Sequence, residues 1–371
     1  MILIMAGNSN LTAAAKAKND EFYTQYSDIE TEMNAYVAYN PDVFRGKTIL
    51  CPCDDPDWSN FTRYFATNFQ RFGLKKLICT SYAKSAGTHY QTSLLEENSP
   101  LYRPDKHATN GKLYTLTYDA NGNGKTDLDD VEFKGYLKGD GDFRSDEVTH
   151  LRDEADIIIT NPPFSLFREF LNWVIEGDKQ FVIMGNKNAI TYKEVFPLIK
   201  NNEIWPGFTS INGGRWMIMP SGINIKSSKA RDDGHGNKLL NVAGVCWFTD
   251  LDHGKRHEKL SLMTMAENLQ FNDKLRKKLI NSFGQDHSNL HYPKYDNYDA
   301  IEVPFVEAIP SDYDGVMGVP ITFLDKYNPE QFTIISDSRF HDGQDFSDDI
   351  NVINGRTLYR RLLIKRRKEA K

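Results

Sequence analysis

The sequence predicts an α/β fold, a doubly wound and mostly parallel sheet followed by a C-terminal region of different character. Three observations carry this. Short β-branched runs at 47–51, 76–80, 156–160 and 180–184 alternate with segments of helical period over short connections. Asn161-Pro162-Pro163-Phe164 stands where one such run ends and a helix begins. After Asp252 the alternation fades into tyrosine- and proline-rich loops and a basic tail.

Taken in order, residues 1–18 are polar and alanine-rich and read as a flexible N-terminal arm. The leading Met1-Ile2-Leu3-Ile4-Met5 is too short for a signal segment and lacks basic flanks. A helix is expected from Asp28 to Tyr39, then the strand 47–51. Ser59 opens a helix whose Phe61, Tyr64, Phe65, Phe69 and Phe72 share one stripe, and Gly73 stops it. The strand 76–80 precedes a turn-rich stretch, 84–110, and a hairpin of 113–118 with 131–137. Next come the strand 156–160, a helix over 165–176 with Ser165 as N-cap, and the strand 180–184. A helix near 191–201 and strands at 215–219 and 244–249 complete this part. The expected divisions are 1–18, 19–252 and 253–371.

Composition narrows the function. At 371 residues and 40% hydrophobic content the chain has material for one large domain or two. A net charge of −6 argues against a generic nucleic-acid coat, while leaving room for a local basic groove. The four cysteines, Cys51, Cys53, Cys79 and Cys246, show no paired spacing, so disulfides and zinc are not expected and a reducing cytoplasm is. No apolar stretch approaches the roughly 20 residues that span a bilayer.

Asn161 to Phe164 carry the chemistry. Neither proline can continue a strand ladder, and Asn161, lying before a proline, is pushed towards extended geometry at the strand's carboxyl end. That end is where open α/β sheets bind ligands. An exocyclic amine offers two donors; the Asn161 side-chain oxygen and the Pro162 carbonyl each accept one. Holding both hydrogens localises the nitrogen lone pair, and Phe164 offers a face for a base. A rigid turn between strand and helix is the competing reading.

The loop after 47–51, Pro52-Cys53-Asp54-Asp55-Pro56, is where such a fold places a cofactor, yet it has no Gly-x-Gly. Asp54 and Asp55 repel phosphates and accept hydrogen bonds from a ribose or an ammonium, which suits S-adenosylmethionine; otherwise they are an acidic helix cap. In Gly139-Asp140-Gly141-Asp142-Phe143, Asp142 is a candidate acceptor for an adenine amine and Phe143 a stacking partner, against a plain glycine turn. Asp119, Asn121, Asn123, Asp127 and Asp130 mimic a calcium loop with glycine at position 6. Position 12 is Asp, position 8 is Thr and a strand precedes, so a hairpin tip is expected and no metal.

Further segments share a pattern with these. They are Asp20-Glu21-Phe22-Tyr23-Thr24-Gln25, Thr160 to Glu169, Ile190 to Phe196, Tyr292 to Ile301 and Gly315 to Leu324. Together with Cys53-Asp54-Asp55-Pro56 and Gly139 to Ser145, the chain resembles the EcoRI-type adenine-specific DNA methyltransferase family from about residue 18 onward. The resemblance implies a Rossmann-like methyltransferase domain over 19–252 and a target-recognition region over 253–371. It implies N6 methylation of a flipped-out adenine in duplex DNA with S-adenosylmethionine. By motif, Phe22, Tyr23 and Thr24 resemble the segment that closes over the cofactor's methionine part. Cys53, Asp54 and Asp55 match the first cofactor loop, Asp142 and Phe143 the adenine-reading segment, and Asn161, Pro162, Pro163 and Phe164 the catalytic motif. The second strand ends in Thr80-Ser81 rather than a ribose-binding acid, a departure from the family pattern. A cognate restriction endonuclease is an implied partner.

Phosphate contacts are expected in 253–371, from the helix bearing Lys274, Arg276, Lys277 and Lys278, from Lys294, and from the tail residues Arg360, Arg361, Arg366 and Arg367. The tail also reads as a solvated arm. Two other functions stay open: a methyltransferase of another planar amine, in RNA or on a protein glutamine, and a DNA-binding protein with a relic cofactor site.

Overall fold

The computed structural model describes residues 22–83, 94–219, 230–234, 236–341, 344–345 and 350–367. The expected arm at 1–18, Asp20 and Glu21 lie outside them. The chain divides into two compact units, one running to Lys187 and resuming over Gly207–His253, the other formed by Asn188–Pro206 and the chain from Gly254. The segment at 188–206, read as part of 19–252, thus clusters with the second unit.

The first unit is built on a large mixed sheet. Helix α1 (Tyr26–Tyr39) buries Ile29, Met33 and Tyr36 at helical spacing. Strands β1 (Thr48–Cys51) and β2 (Lys76–Thr80) pair in parallel. Between them α2 (Asn60–Thr67) is capped by the Ser59 hydroxyl, which accepts from the N–H groups of Phe61 and Thr62. The predicted aromatic stripe is buried, and Gly73 ends the following turn in the left-handed region at φ 64°. Each buried aromatic ring adds about 1.5–3 kcal/mol relative to exposure.

Beyond β2 the chain turns back. Strand β3 (Lys112–Leu116) pairs antiparallel with β2, and β4 (Glu132–Tyr136) antiparallel with β3. Helix α3 (Asp146–Glu154), capped by Ser145, was not foreseen; it leads into β5 (Ile157–Thr160). Strand β5 lies parallel to β1 on the side away from β2, and β6 (Gln180–Asn186) lies parallel to β5. A small antiparallel sheet follows, of β7 (Gly214–Ile218), β8 (Ala230–Asp232) and β9 (Lys238–Ala243), before β10 (Val245–Thr249) closes antiparallel on β6. Among the strands of this unit the order in the large sheet is β4-β3-β2-β1-β5-β6-β10. It is parallel at its centre, from β2 to β6, and antiparallel at both sides.

Two helix starts differ from expectation. Ser165 does not cap a helix: Phe164–Leu166 form a 3-10 turn, and α4 (Phe167–Glu176) begins after it. Pro163 is held extended at ψ 124°, and its carbonyl accepts from the Leu166 N–H, which tightens the chain by one turn first. The helix near 191–201 is shortened to α5 (Phe196–Lys200), because Pro197 fits only a first helical turn.

In the second unit, α6 (Met265–Phe271) carries a Thr264–Glu267 capping box, and α7 (Asp273–Phe283) ends at Gly284. Strands β11 (Ala300–Glu302), β12 (Val316–Pro320) and β13 (Phe332–Asp337) form a sheet with the later β16 (Arg361–Arg366), in the order β11-β12-β16-β13. A tight hairpin of β14 (Val352–Ile353) and β15 (Arg356–Thr357) precedes β16 (Arg361–Arg366). Within the tail, β16 is therefore a central strand, with Leu362, Leu363 and Ile364 wholly buried. Among the described residues no helix is long and apolar enough to cross a membrane.

Candidate active site

The sheet order reverses around β1, with β2 on one side and β5 on the other, so a crevice is expected at the carboxyl ends of β1 and β5. Asn161 follows β5 there and is half-buried, Pro162 is buried, and Phe164 is half-buried with one side on the core. The Asn161 Nδ2 donates to the Phe22 carbonyl at 2.6 Å. Among the described residues nothing is bonded to Asn161 Oδ1 or to the Pro162 carbonyl. Two acceptors after the end of β5 are thus without a bonded donor among the described residues.

Residues 22–24 form a strap beside this pair. The Tyr23 backbone exchanges hydrogen bonds with Ile218 of β7, at 2.9 and 2.8 Å. The Tyr23 ring stacks on Trp58 at 4.6 Å and 30°. Asn60 Nδ2 donates to the Thr24 carbonyl at 2.8 Å. Phe22 and Thr24 are buried, and the Thr24 hydroxyl donates to Met184 Sδ at 3.0 Å. Of the three expected cofactor side chains, only that of Tyr23 is partly open. Phe22 and Thr24 turn their side chains inward and present backbone.

The loop after β1 brings its acids to the same edge. Asp54 is buried and accepts from the Ser59 hydroxyl and the Thr160 hydroxyl, both at 2.6 Å. Burial pushes its pKa up to about 7 against those two bonds. Asp54 therefore ties the loop to the end of β5, and its two oxygens are engaged within the protein. Asp55 is equally buried, and among the described residues its Oδ1 accepts only the Asp57 N–H, at 3.1 Å; burial raises its pKa to about 6, opposed by Lys112. Asp55 keeps acceptor capacity that Asp54 does not. Cys53 has φ 66°, a left-handed conformation rare outside glycine, with its N–H donated to the Thr80 hydroxyl at 3.3 Å. Cys53 thus takes a backbone conformation that glycine more often supplies.

The Gly139 to Phe143 loop packs on the end of β2. Gly141 has φ 87°, and a Cβ there would lie 2.2 Å from the Ser81 carbonyl oxygen, so only glycine fits. Both Asp142 oxygens accept from the Arg144 guanidinium, which holds the carboxyl below its usual range, and Arg144 also reaches Glu169. Phe143 is 3% exposed and packs edge-on against Phe170 and Trp173, so its ring has no free face for a base. Beside the loop, buried Lys112 pairs with buried Glu96 at 2.5 Å.

In the calcium-like tip, the side-chain oxygens serve the loop itself. Asp119 accepts from Gly122 and Gly124, Asn121 from Asn123, Asn123 from Lys125, and Asp127 from Asp129. Asp130 accepts from Ala120, Asn121 and Asp127. Among the described residues no cluster of three or more His, Cys, Asp or Glu is placed for a metal.

Of the basic residues in the second unit, Lys294 and Arg367 are exposed and Arg366 is half-buried. Arg360 pairs with wholly buried Asp337 at 2.6 Å, and Arg361 with wholly buried Glu302 at 2.8 Å. These two charges are neutralised inside the unit.

A family model described as adenine-specific methyltransferase EcoRI matches residues 10–367. The chain belongs to that family. It is an enzyme, an adenine-specific DNA methyltransferase. The methyltransferase is 43% identical to the type II methyltransferase M.EcoRI of Escherichia coli, over 98% of each chain. It is 33% identical to the type II methyltransferase M.MpnI of Mycoplasma pneumoniae, over 95% of this chain and 97% of that one. M.MgeORF184P of Mycoplasma genitalium is 35% identical, over 87% of this chain and 84% of its own. No solved structure matches the chain. Sequence reasoning on the methyltransferase missed Trp58, Asn60 and Thr160. Their roles depend on partners far along the chain, Tyr23, Thr24 and Asp54, and no local spacing marks them.

Proposed function

We propose that this methyltransferase transfers the methyl group of S-adenosylmethionine to N6 of an adenine flipped out of duplex DNA. The single observation that carries the reading is the pair of open acceptors, Asn161 Oδ1 and the Pro162 carbonyl, at the end of β5. The sheet reversal around β1 supports a Rossmann-like placement of the cofactor against the Cys53 turn, with Asp55 accepting from its ribose or ammonium. When bound, the cofactor supplies a methyl group on a good sulfonium leaving group.

An adenine inside a duplex cannot reach that crevice, so it leaves the stack at a cost of a few kcal/mol. Phe164 receives one face of the base. Asn161 Oδ1 and the Pro162 carbonyl each accept one N6 hydrogen, which aims the nitrogen lone pair. No strong base is required, since attack precedes proton loss, and catalysis is then positioning and electrostatics. The second unit is the proposed target-recognition region, with Lys294, Arg366 and Arg367 available for phosphates. A cytoplasmic role beside a cognate restriction endonuclease completes the reading.

Transfer of labelled methyl from S-adenosylmethionine to duplex DNA, RNA and protein tests it. Label on N6 of adenine in the duplex is expected. Label on RNA or on glutamine, with none on DNA, would overturn it.

A further inference from the structure

The Asn161 amide has a donor end and an acceptor end, and the end facing the target amine decides whether it orients the nucleophile or opposes it. The Phe22 carbonyl can only accept, so at 2.6 Å it holds Nδ2 and turns Oδ1 the other way. The strap that carries this carbonyl is tied down next to it. Tyr23 is bonded through its backbone to Ile218 and stacked on Trp58, and the Thr24 carbonyl is held by Asn60. Trp58, in the loop that follows β1, and Asn60, the first residue of α2, flank the cap Ser59.

We propose that Trp58 and Asn60 are positioning residues for methyl transfer, holding the Phe22 carbonyl where it fixes the Asn161 amide with its oxygen towards the target amine. The inference rests on the proposed role of Asn161. When the strap lifts, the amide is free to turn over, and its NH2 then meets the NH2 of the base. When the strap lies down, one end of the amide is chosen. The strap beside the cofactor loop thereby prepares the catalytic group, and turnover depends on its closure.

The variants Asn60→Ala, Trp58→Ala and Trp58→Phe test this in the full chain. Asn60 is the first residue of α2, where alanine is well tolerated, and the Ser59 cap is untouched. Single-turnover methylation of a duplex carrying the target site is measured with cofactor KM and DNA Kd. The rate is expected to fall about tenfold in Asn60→Ala and Trp58→Ala, the size of one lost orienting hydrogen bond. DNA Kd is expected to stay within about twofold, and Trp58→Phe, which keeps a ring for Tyr23, to recover most of the rate. Unchanged rates in both alanine variants overturn the inference. So does a raised cofactor KM with full rate at saturating cofactor, which would make the strap a cover for the cofactor alone. If the wild-type chain methylates no adenine, the proposed function fails first and the inference with it. If the wild type methylates and the variants match it, the inference alone fails.

Discussion

Asp54 and Asp55 are neighbours in sequence with different work, and their environments separate them. Asp54 is bonded on both oxygens within the protein, and burial raises its pKa to about 7. Its folded pKa lies above the unfolded value near 4. The stability it contributes is therefore full at low pH and lost as pH rises through about 7. Unfolding free energy of the wild type should fall between about pH 4 and 7 more steeply than that of Asp54→Asn; equal slopes would show that Asp54 does not titrate in this way. Asp55, raised to about 6, must be ionised to hold a cationic ligand. Cofactor affinity measured by calorimetry should rise with pH through about 6 in the wild type and stay flat in Asp55→Asn. The acids were legible in the sequence as a loop after a strand. Which of them is tied up was not, because Thr160 lies 106 residues away from Asp54.

At the scale of elements, the strands at the centre of the sheet were readable because each is a short buried run, and α2 because its aromatics repeat at helical spacing. Antiparallel pairing in the second unit was not readable. Its strands lie between turns without a helical period, and β16 hides among six basic residues of the tail, Arg360, Arg361, Lys365, Arg366, Arg367 and Lys368. Basic character there reads as a surface arm, whereas Arg361 compensates Glu302, a carboxylate with no exposed side-chain surface. Glu302 also accepts from the Tyr295 hydroxyl at 2.6 Å, and burial raises the pKa of that tyrosine. Arg361→Ala leaves a buried charge unpaired and should destabilise the chain by about 3–5 kcal/mol in denaturant unfolding. A loss under about 1 kcal/mol would mean that the pair behaves like a surface bridge.

For the whole molecule, a net charge of −6 must coexist with binding to a polyanion, so phosphate contacts have to be local. The ion pairs of Arg360 and Arg361 remove them from the candidates; the basic face of α7 (Lys274, Arg276, Lys277, Lys278) remains, and outside it Lys294, Arg366 and Arg367. Replacing these three with glutamine should weaken all DNA alike and flatten the salt dependence by about 0.9 per lost contact. A changed target preference at an unchanged slope would instead assign them to base reading. The claim on which the rest depends is that Asn161 orients the N6 of a flipped adenine. Its most direct test is base-resolution mapping of methylated adenine in DNA from cells expressing the wild-type chain or Asn161→Ala. The account predicts N6-methyladenine at one recurrent sequence with the wild type and none with the variant, whose purified form still binds cofactor. Methylation at the same sites by Asn161→Ala would contradict it.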